Sequence, residues 1–339
     1  MEDTSRVLGW AVVGTGQISQ LIVSDLSRVP GARRRGVCSR SGERGRAFAD
    51  AHGFEVAHGS WAAVLDDAAV DIVYVGTPHA THADLAIEAM RAGKHVLIEK
   101  PIAVDAAEAA RIAAVAEESG RFAMEAMWMR FSPAYRAALV LCRSGALGEV
   151  RSVRASFGLP FGSPDSERWS ADRASSTLLD QGVYPVTLAL DVLGPPDAVA
   201  ARGRIRPDGV DLAGHITFDY ADGRFAQLGA SMVEYLEPTA TISGSDGWLT
   251  LRAPFWGGAS TLDLHAGSIP DALSNPSTSH FEPEGFGYTP MLAAVQAAVV
   301  SGRPGHPQHP LADSVTTLDV LDRIRRRLTD HDPTPLENP

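Results

Sequence analysis

Along the first third of the chain, short apolar bursts alternate with stretches whose apolar residues recur at helical spacing. Val7–Val13, Arg33–Cys38, Asp71–Val75, His95–Ile98 and Arg121–Met124 predict strands, and the apolar run of Asp71–Val75 suits a sheet covered on both faces. Between them Gln17–Arg28, Gly45–His52, Ala80–Arg91 and Asp105–Ser119 predict helices. Gly93 closes the third of these; Asp105 caps the fourth and Gly120 ends it. Repeated βα alternation predicts a parallel, doubly wound sheet with right-handed crossovers.

From about residue 126 the period changes. Val150–Phe157, Ala198–Arg206, Asp211–Tyr220, Arg224–Ser231, Thr239–Ser243 and Trp248–Leu251 follow one another as strands, with turn signals at Ala221-Asp222-Gly223 and Ser245-Asp246-Gly247. They predict a large, open, mostly antiparallel sheet with Pro133–Cys142, Thr177–Leu193, Thr289–Ser301 and Leu311–Leu328 as helices on one face. Trp256–Gly287, rich in Gly, Pro, Ser and Asn, reads as long loops around one strand. The expected organisation is an α/β dinucleotide-binding domain over 1–125 and an α+β domain over 126–339 for substrate binding and oligomerisation.

With 339 residues, 45% of them hydrophobic, the chain can bury a sizeable core. Its net charge of -11 argues against nucleic acid and anionic membranes, whose binding needs clustered positive charge. Cys38 and Cys142 are the two cysteines, too few for a disulfide framework, and they read as small apolar fillers. The first residues, Met1-Glu2-Asp3-Thr4-Ser5-Arg6, lack the apolar run of a leader or membrane helix, so the expected compartment is cytoplasmic.

Gly14-Thr15-Gly16-Gln17-Ile18-Ser19 directly follows the first strand and opens a helix, the context of a Rossmann dinucleotide turn. Gly14 allows the tight reversal, Gly16 lets backbone approach a pyrophosphate, and Gln17 and Ile18 begin the helix whose N–H groups face the phosphates. Ser19 stands where a third glycine is usual. At the end of the second strand, where an NAD site offers an acid about 20 residues on, this chain has Ser39 and Arg40, with Arg44 nearby. Donors without an acid predict NADP, with NAD as the other candidate. Glu43 is the one acid near enough to temper that preference.

The glycine turn, Thr77-Pro78-His79-Ala80-Thr81-His82, Glu99-Lys100-Pro101 and Leu178-Leu179-Asp180-Gln181-Gly182-Val183-Tyr184-Pro185 together resemble the glucose-fructose oxidoreductase and inositol dehydrogenase family, Gfo/Idh/MocA. Glu125-Ala126-Met127-Trp128-Met129-Arg130-Phe131-Ser132-Pro133 and Tyr184-Pro185 are similar to its dihydrodiol dehydrogenase and NADP-dependent xylose dehydrogenase branch. The resemblance implies a sugar, polyol or trans-dihydrodiol substrate, a cis Lys100-Pro101 bond, and a homodimer or homotetramer.

Oxidising a carbinol needs a group to take the hydroxyl proton and a donor to hold the developing oxyanion. Lys100, desolvated near an oxidised nicotinamide, fits such a role, and the residue before proline is held extended. Asp180 and Tyr184, four apart, share a helix face. The resemblance implies Tyr184 as acid-base group, Lys100 as its electrostatic support and Asp180 as the residue that orients Lys100 or a substrate hydroxyl. It also implies coenzyme contacts from Thr77, Pro78, His79, His82 and Glu99, with His82 bonding backbone near the nicotinamide. Arg168 is expected at coenzyme or substrate, and Trp128 and Phe157 at an apolar substrate wall. Ser175-Ser176 replaces a pair of glycines frequent in the family, and Pro185 predicts a kink or a helix that starts only near Asp180. His79 and His82, three apart, lack carboxylate or thiolate partners at ligand spacing, and His306 and His309 lie in a Pro-rich loop, so no metal is expected. The alternative reading is a catalytically silent dinucleotide-binding sensor of the same fold.

Overall fold

A computed structural model describes residues 6–160, 170–258 and 260–329. The βα alternation appears as β1 (Leu8–Val13), α1 (Gln17–Leu26), β2 (Ala32–Cys38), α2 (Gly42–His52), β3 (Val56–His58), α3 (Trp61–Asp66), β4 (Ile72–Val75), α4 (His82–Arg91), β5 (His95–Ile98), α5 (Ala106–Ser119) and β6 (Ala123–Glu125). Their six strands form one parallel sheet in the order β3-β2-β1-β4-β5-β6, the reversal falling at β1 and β4. Every residue of β1 and β4 is buried, as a sheet covered on both faces requires.

Local signals set the helix ends. The Asp105 side chain accepts from Glu108 N–H and Gly120 closes α5 in the left-handed conformation. Ser41 caps α2 in the same way, so that helix begins at Gly42 and not Gly45. The pair β3 and α3, too short to show a period, was not anticipated.

The second half contains α6 (Pro133–Arg143), β7 (Val150–Gly158), α7 (Val183–Leu193), β8 (Ala198–Ile205), β9 (Asp211–Asp219), β10 (Phe225–Ser231), β11 (Ala240–Gly244), β12 (Gly247–Leu251), β13 (Ser260–Ala266), α8 (Ile269–Ser274), β14 (Ser277–Phe281), α9 (Thr289–Val300) and α10 (Leu311–Thr329). Eight strands pair in the order β14-β13-β12-β11-β7-β10-β9-β8, with β7 and β10 parallel and the other registered pairs antiparallel. Trp256–Gly287, expected as loops around one strand, holds β13, α8 and β14. The polar, exposed Ser277–Phe281 lacks the alternation that identifies a half-buried strand.

The chain divides into two compact units, one of Met1–Arg136, Trp256–Ser260 and His280–Leu318, the other of Ala137–Phe255, Thr261–Ser279 and Asp319–Pro339. Helix α9, expected on the second sheet, belongs to the first unit. The buried Asp25 carboxylate on α1 accepts from the N–H groups of Phe286, Tyr288 and Thr289, and Gln296 accepts from the Trp10 indole at 2.9 Å. Among the described residues no helix is long and apolar enough to cross a membrane.

Candidate active site

Turns at the carboxyl end of the parallel sheet, those after β1 and β5 among them, carry most of the predicted residues. In the first, Gly14 has φ +100° and a Cβ there would lie 2.3 Å from Gly76 O, so only glycine fits. Gly16 differs: its φ is an ordinary -74°, and a Cβ would meet nothing within 4 Å. The space over the N-terminus of α1 is open, no side chain caps that helix, and its first turn holds no acid. Backbone N–H groups facing open space suit a dinucleotide pyrophosphate. Ser19 is fully buried, and its Oγ occupies the room left by Gly76, whose Cβ would fall 2.6 Å from it. Close packing is thus kept by a glycine on the other element.

At the end of β2 the exposed Arg40 and Arg44 and the half-buried Ser39 stand in a stretch whose one acid, Glu43, opens α2. Thr15 Oγ1 donates to Ser39 Oγ at 3.3 Å, which joins this stretch to the glycine turn.

The second turn follows β5. Glu99 is buried, its Oε2 accepts from Tyr74 OH at 2.7 Å, and burial pushes its carboxyl up to about 7 against the pull of Lys100. Lys100 is half-buried and its bond to Pro101 is cis. The fully buried His82 ring has Nδ1 2.8 Å from Pro101 O and Nε2 2.8 Å from Thr77 O. It joins the turn after β4, which carries Thr77, Pro78 and His79, to the turn after β5.

Glu125, at the end of β6, accepts from Ile102 N–H at 3.0 Å and from Ser314 Oγ at 2.6 Å. Arg130, which can only donate, gives Nη1 to His309 Nδ1 at 2.7 Å and to Asp313 at 2.5 Å. The His309 proton therefore sits on Nε2 and is donated to Glu125 at 3.1 Å. Burial works to raise the Glu125 carboxyl, yet these partners hold it below the usual range, ionised.

In the second unit, Leu178–Gly182 forms a π-turn before α7, so the expected single helix over Thr177–Leu193 is divided. Pro185 lies in the first turn of α7 and has no N–H to close a regular turn onto Gln181. Asp180 is half-buried within the π-turn. Tyr184 is buried on α7 with its ring 5.6 Å from that of Phe157. Ser176 Oγ donates to Asp211 Oδ1 at 2.5 Å and accepts from Leu179 N–H, and Leu178 N–H binds the other Asp211 oxygen. The Ser175-Ser176 departure thus anchors the π-turn to β9.

A family model described as an oxidoreductase family with an NAD-binding Rossmann fold matches residues 8–127, and one described as the GFO/IDH/MocA C-terminal domain matches residues 135–250. The chain is 31% identical over 328 residues, 95% of its length and 97% of the relative's, to a trans-1,2-dihydrobenzene-1,2-diol dehydrogenase of Macaca fuscata fuscata. The chain belongs to the Gfo/Idh/MocA oxidoreductase family. Among solved structures it is similar to an aldose-aldose oxidoreductase from Caulobacter crescentus complexed with glycerol, with TM-score 0.85 and 25% identity, covering 96% of this chain and 98% of that one. It is also similar to a 3-ketoreductase from Actinomadura kijaniata in complex with NADP, with TM-score 0.84 and 28% identity, covering 95% and 98%.

As a member of that family the protein is an oxidoreductase with an NAD(P)-binding Rossmann unit. Its predicted residues sort by unit. Gly14, Gly16, Gln17, Ile18, Ser39, Arg40, Arg44, Thr77, Pro78, His79, His82, Glu99, Lys100 and Trp128 lie in the first, where the Trp128 ring packs against Tyr288 at 4.6 Å. Phe157, Asp180 and Tyr184 lie in the second. Arg168 lies outside the described residues.

Sequence reasoning missed Asp25, Arg130, His309 and the role of Glu125. Asp25 did leave a signal. It is an acid in the apolar stripe formed by Ile18, Ile22 and Leu26, a position where a charge must find partners.

Proposed function

We propose that the protein is an NADP(H)-dependent dehydrogenase that moves hydride between nicotinamide and the carbinol or carbonyl carbon of a trans-dihydrodiol, sugar or polyol. The observation that carries this reading is the 31% identity to a trans-dihydrodiol dehydrogenase over 97% of that enzyme, in a chain that has Lys100, Asp180 and Tyr184. Arg40 and Arg44 support NADP, as does the likeness to a ketoreductase crystallised with it.

When bound, the coenzyme supplies the hydride acceptor, nicotinamide C4. Tyr184, acting as phenolate, takes the substrate hydroxyl proton while hydride leaves the carbinol carbon, so that alcohol becomes carbonyl, and the phenol then releases one proton to solvent. The Lys100 ammonium stabilises the negative charge that develops on oxygen, and Asp180 orients Lys100 or a second substrate hydroxyl. Gly14, Gly16, Gln17 and Ile18 hold the pyrophosphate, Ser39, Arg40 and Arg44 the 2'-phosphate, and the Thr77–His82 and Glu99–Lys100 turns the nicotinamide end. Trp128 and Phe157 supply apolar substrate surface, and Arg168 a charged contact to coenzyme or substrate. In this reading 1–125 binds coenzyme, 126–339 binds substrate and assembles homo-oligomers, and the compartment is the cytoplasm.

The test is a panel of dihydrodiols, pentoses, hexoses and inositols, each with NADP and with NAD, followed at the reduced-nicotinamide absorbance band. The expected result is turnover of at least one diol or sugar, faster with NADP, and lowered about 10²-fold or more in Tyr184→Phe. Coenzyme binding without turnover of any panel member would overturn the reading in favour of a silent binding protein.

A further inference from the structure

The Pro101–Ile102 peptide unit, the one that follows the Lys100–Pro101 bond, is held at both ends. Its carbonyl, Pro101 O, lies 2.8 Å from His82 Nδ1, and its N–H, that of Ile102, donates to Glu125 Oε1 at 3.0 Å. The other His82 nitrogen lies 2.8 Å from Thr77 O. A neutral imidazole has one N–H and one lone pair, so against two carbonyl oxygens only one contact can be a hydrogen bond; the other would set lone pair against lone pair. Imidazolium donates to both.

The charged groups acting on the ring are the Glu125 carboxylate, which favours the cation, and the Lys100 ammonium, which opposes it; the His79 ring lies edge-on at 5.7 Å. Burial is the largest influence and lowers the His82 pKa. Against that stand two charge-assisted bonds and the ionised Glu125, itself held by His309, Ser314 and Ile102. A buried cation flanked by a buried anion is also the arrangement in which neither charge is left uncompensated.

We propose that His82, as imidazolium, and Glu125, as carboxylate, form a positioning clamp on the Pro101–Ile102 peptide that fixes the backbone from which Lys100 projects. Neither residue reacts. The clamp removes the backbone freedom that would let the lysine drift, and misplacement of about 1 Å costs about 10²-fold in rate. The inference rests on the role proposed for Lys100, but its geometry can be tested without turnover.

The experiment uses the full chain labelled with ¹⁵N. The His82 ring is assigned by the signals lost in His82→Asn. Two exchange-protected ring N–H groups are expected for His82 in the wild type, and one in Glu125→Gln, which keeps an acceptor for Ile102 N–H but removes the charge. A single N–H in the wild type overturns the imidazolium clamp, whether or not any substrate is turned over. With a substrate in hand, Glu125→Ala is expected to lower kcat about 10²-fold with little change in coenzyme affinity, and Glu125→Gln to recover part of that loss. Equal kcat in all three proteins sinks the positioning role. Thermal melts of both Glu125 variants run alongside separate misfolding from misplacement, and a folded Glu125→Gln still reports the ring's proton count.

Discussion

The turns after β1 and β5 leave the same edge of one parallel sheet and solve opposite problems. The first is open. Gly16 has no neighbour where a Cβ would stand, α1 has no side-chain cap, and in the proposed function the backbone itself is the binding group. The second is enclosed: Glu99, His82 and Glu125 are all buried, and the Pro101–Ile102 peptide is bonded at both ends. A turn that binds through backbone must leave its N–H groups unspent, whereas a turn that aims one side chain must over-determine its backbone.

The sharpest way to break this comparison is Lys100→Ala. If the second turn exists to present that ammonium, the variant loses turnover while titration still shows NADPH binding, because the lost interaction belongs mainly to the transition state. Near-normal turnover would make the enclosed turn purely architectural. Next in size is Gly16→Val. Its φ of -74° suits any residue and its surroundings are open, so the thermal midpoint is expected to stay put while coenzyme affinity falls about 10²-fold, roughly 2.7 kcal/mol. A lower midpoint with unchanged affinity would mean that the first turn is structural.

Arg40→Ala is expected to weaken NADP about tenfold and NAD hardly at all, the modest end of a charge-assisted bond because Arg40 is exposed. Equal losses for both coenzymes, titrated at one salt concentration, would reduce Arg40 to an ordinary surface charge. The remaining expectation concerns stability and not coenzyme or turnover, and it belongs to Glu99. Burial raises its carboxyl to about 7, so the folded chain keeps a proton that the unfolded chain has lost, and stability falls as pH rises from 4.5 through about 7. Glu99→Gln should flatten that part of a plot of thermal midpoint against pH; parallel curves for the two proteins would place the slope elsewhere.

Much of the first unit was legible because its signals are local. Asp105 and Gly120 bracket α5, and Gly14 marks the tight turn between a buried strand and a helix, since capping and positive φ depend on residues within one or two turns. The π-turn at Leu178–Gly182 was half visible: Pro185 announced an irregularity, but the anchor that shapes it, Asp211 on β9, is 35 residues from Ser176. Of the two strands that flank α8 one was expected and the second was not, as the polar, exposed Ser277–Phe281 carries no alternation.

By itself, then, the order of residues determined the alternation of elements, the parallel sheet, the glycine geometry and the types of residue available for redox chemistry, all of which follow from short-range sterics and periodicity. Only the tertiary structure decided what the acids do. Glu125 meets His309 across 184 positions, and Asp25 meets Tyr288, in the turn before α9, across 263. Partners so far apart leave no periodic trace, and the hydrogen-bond partners that hold the buried Glu125 ionised while burial raises Glu99 to about 7 exist only once the chain has closed around both.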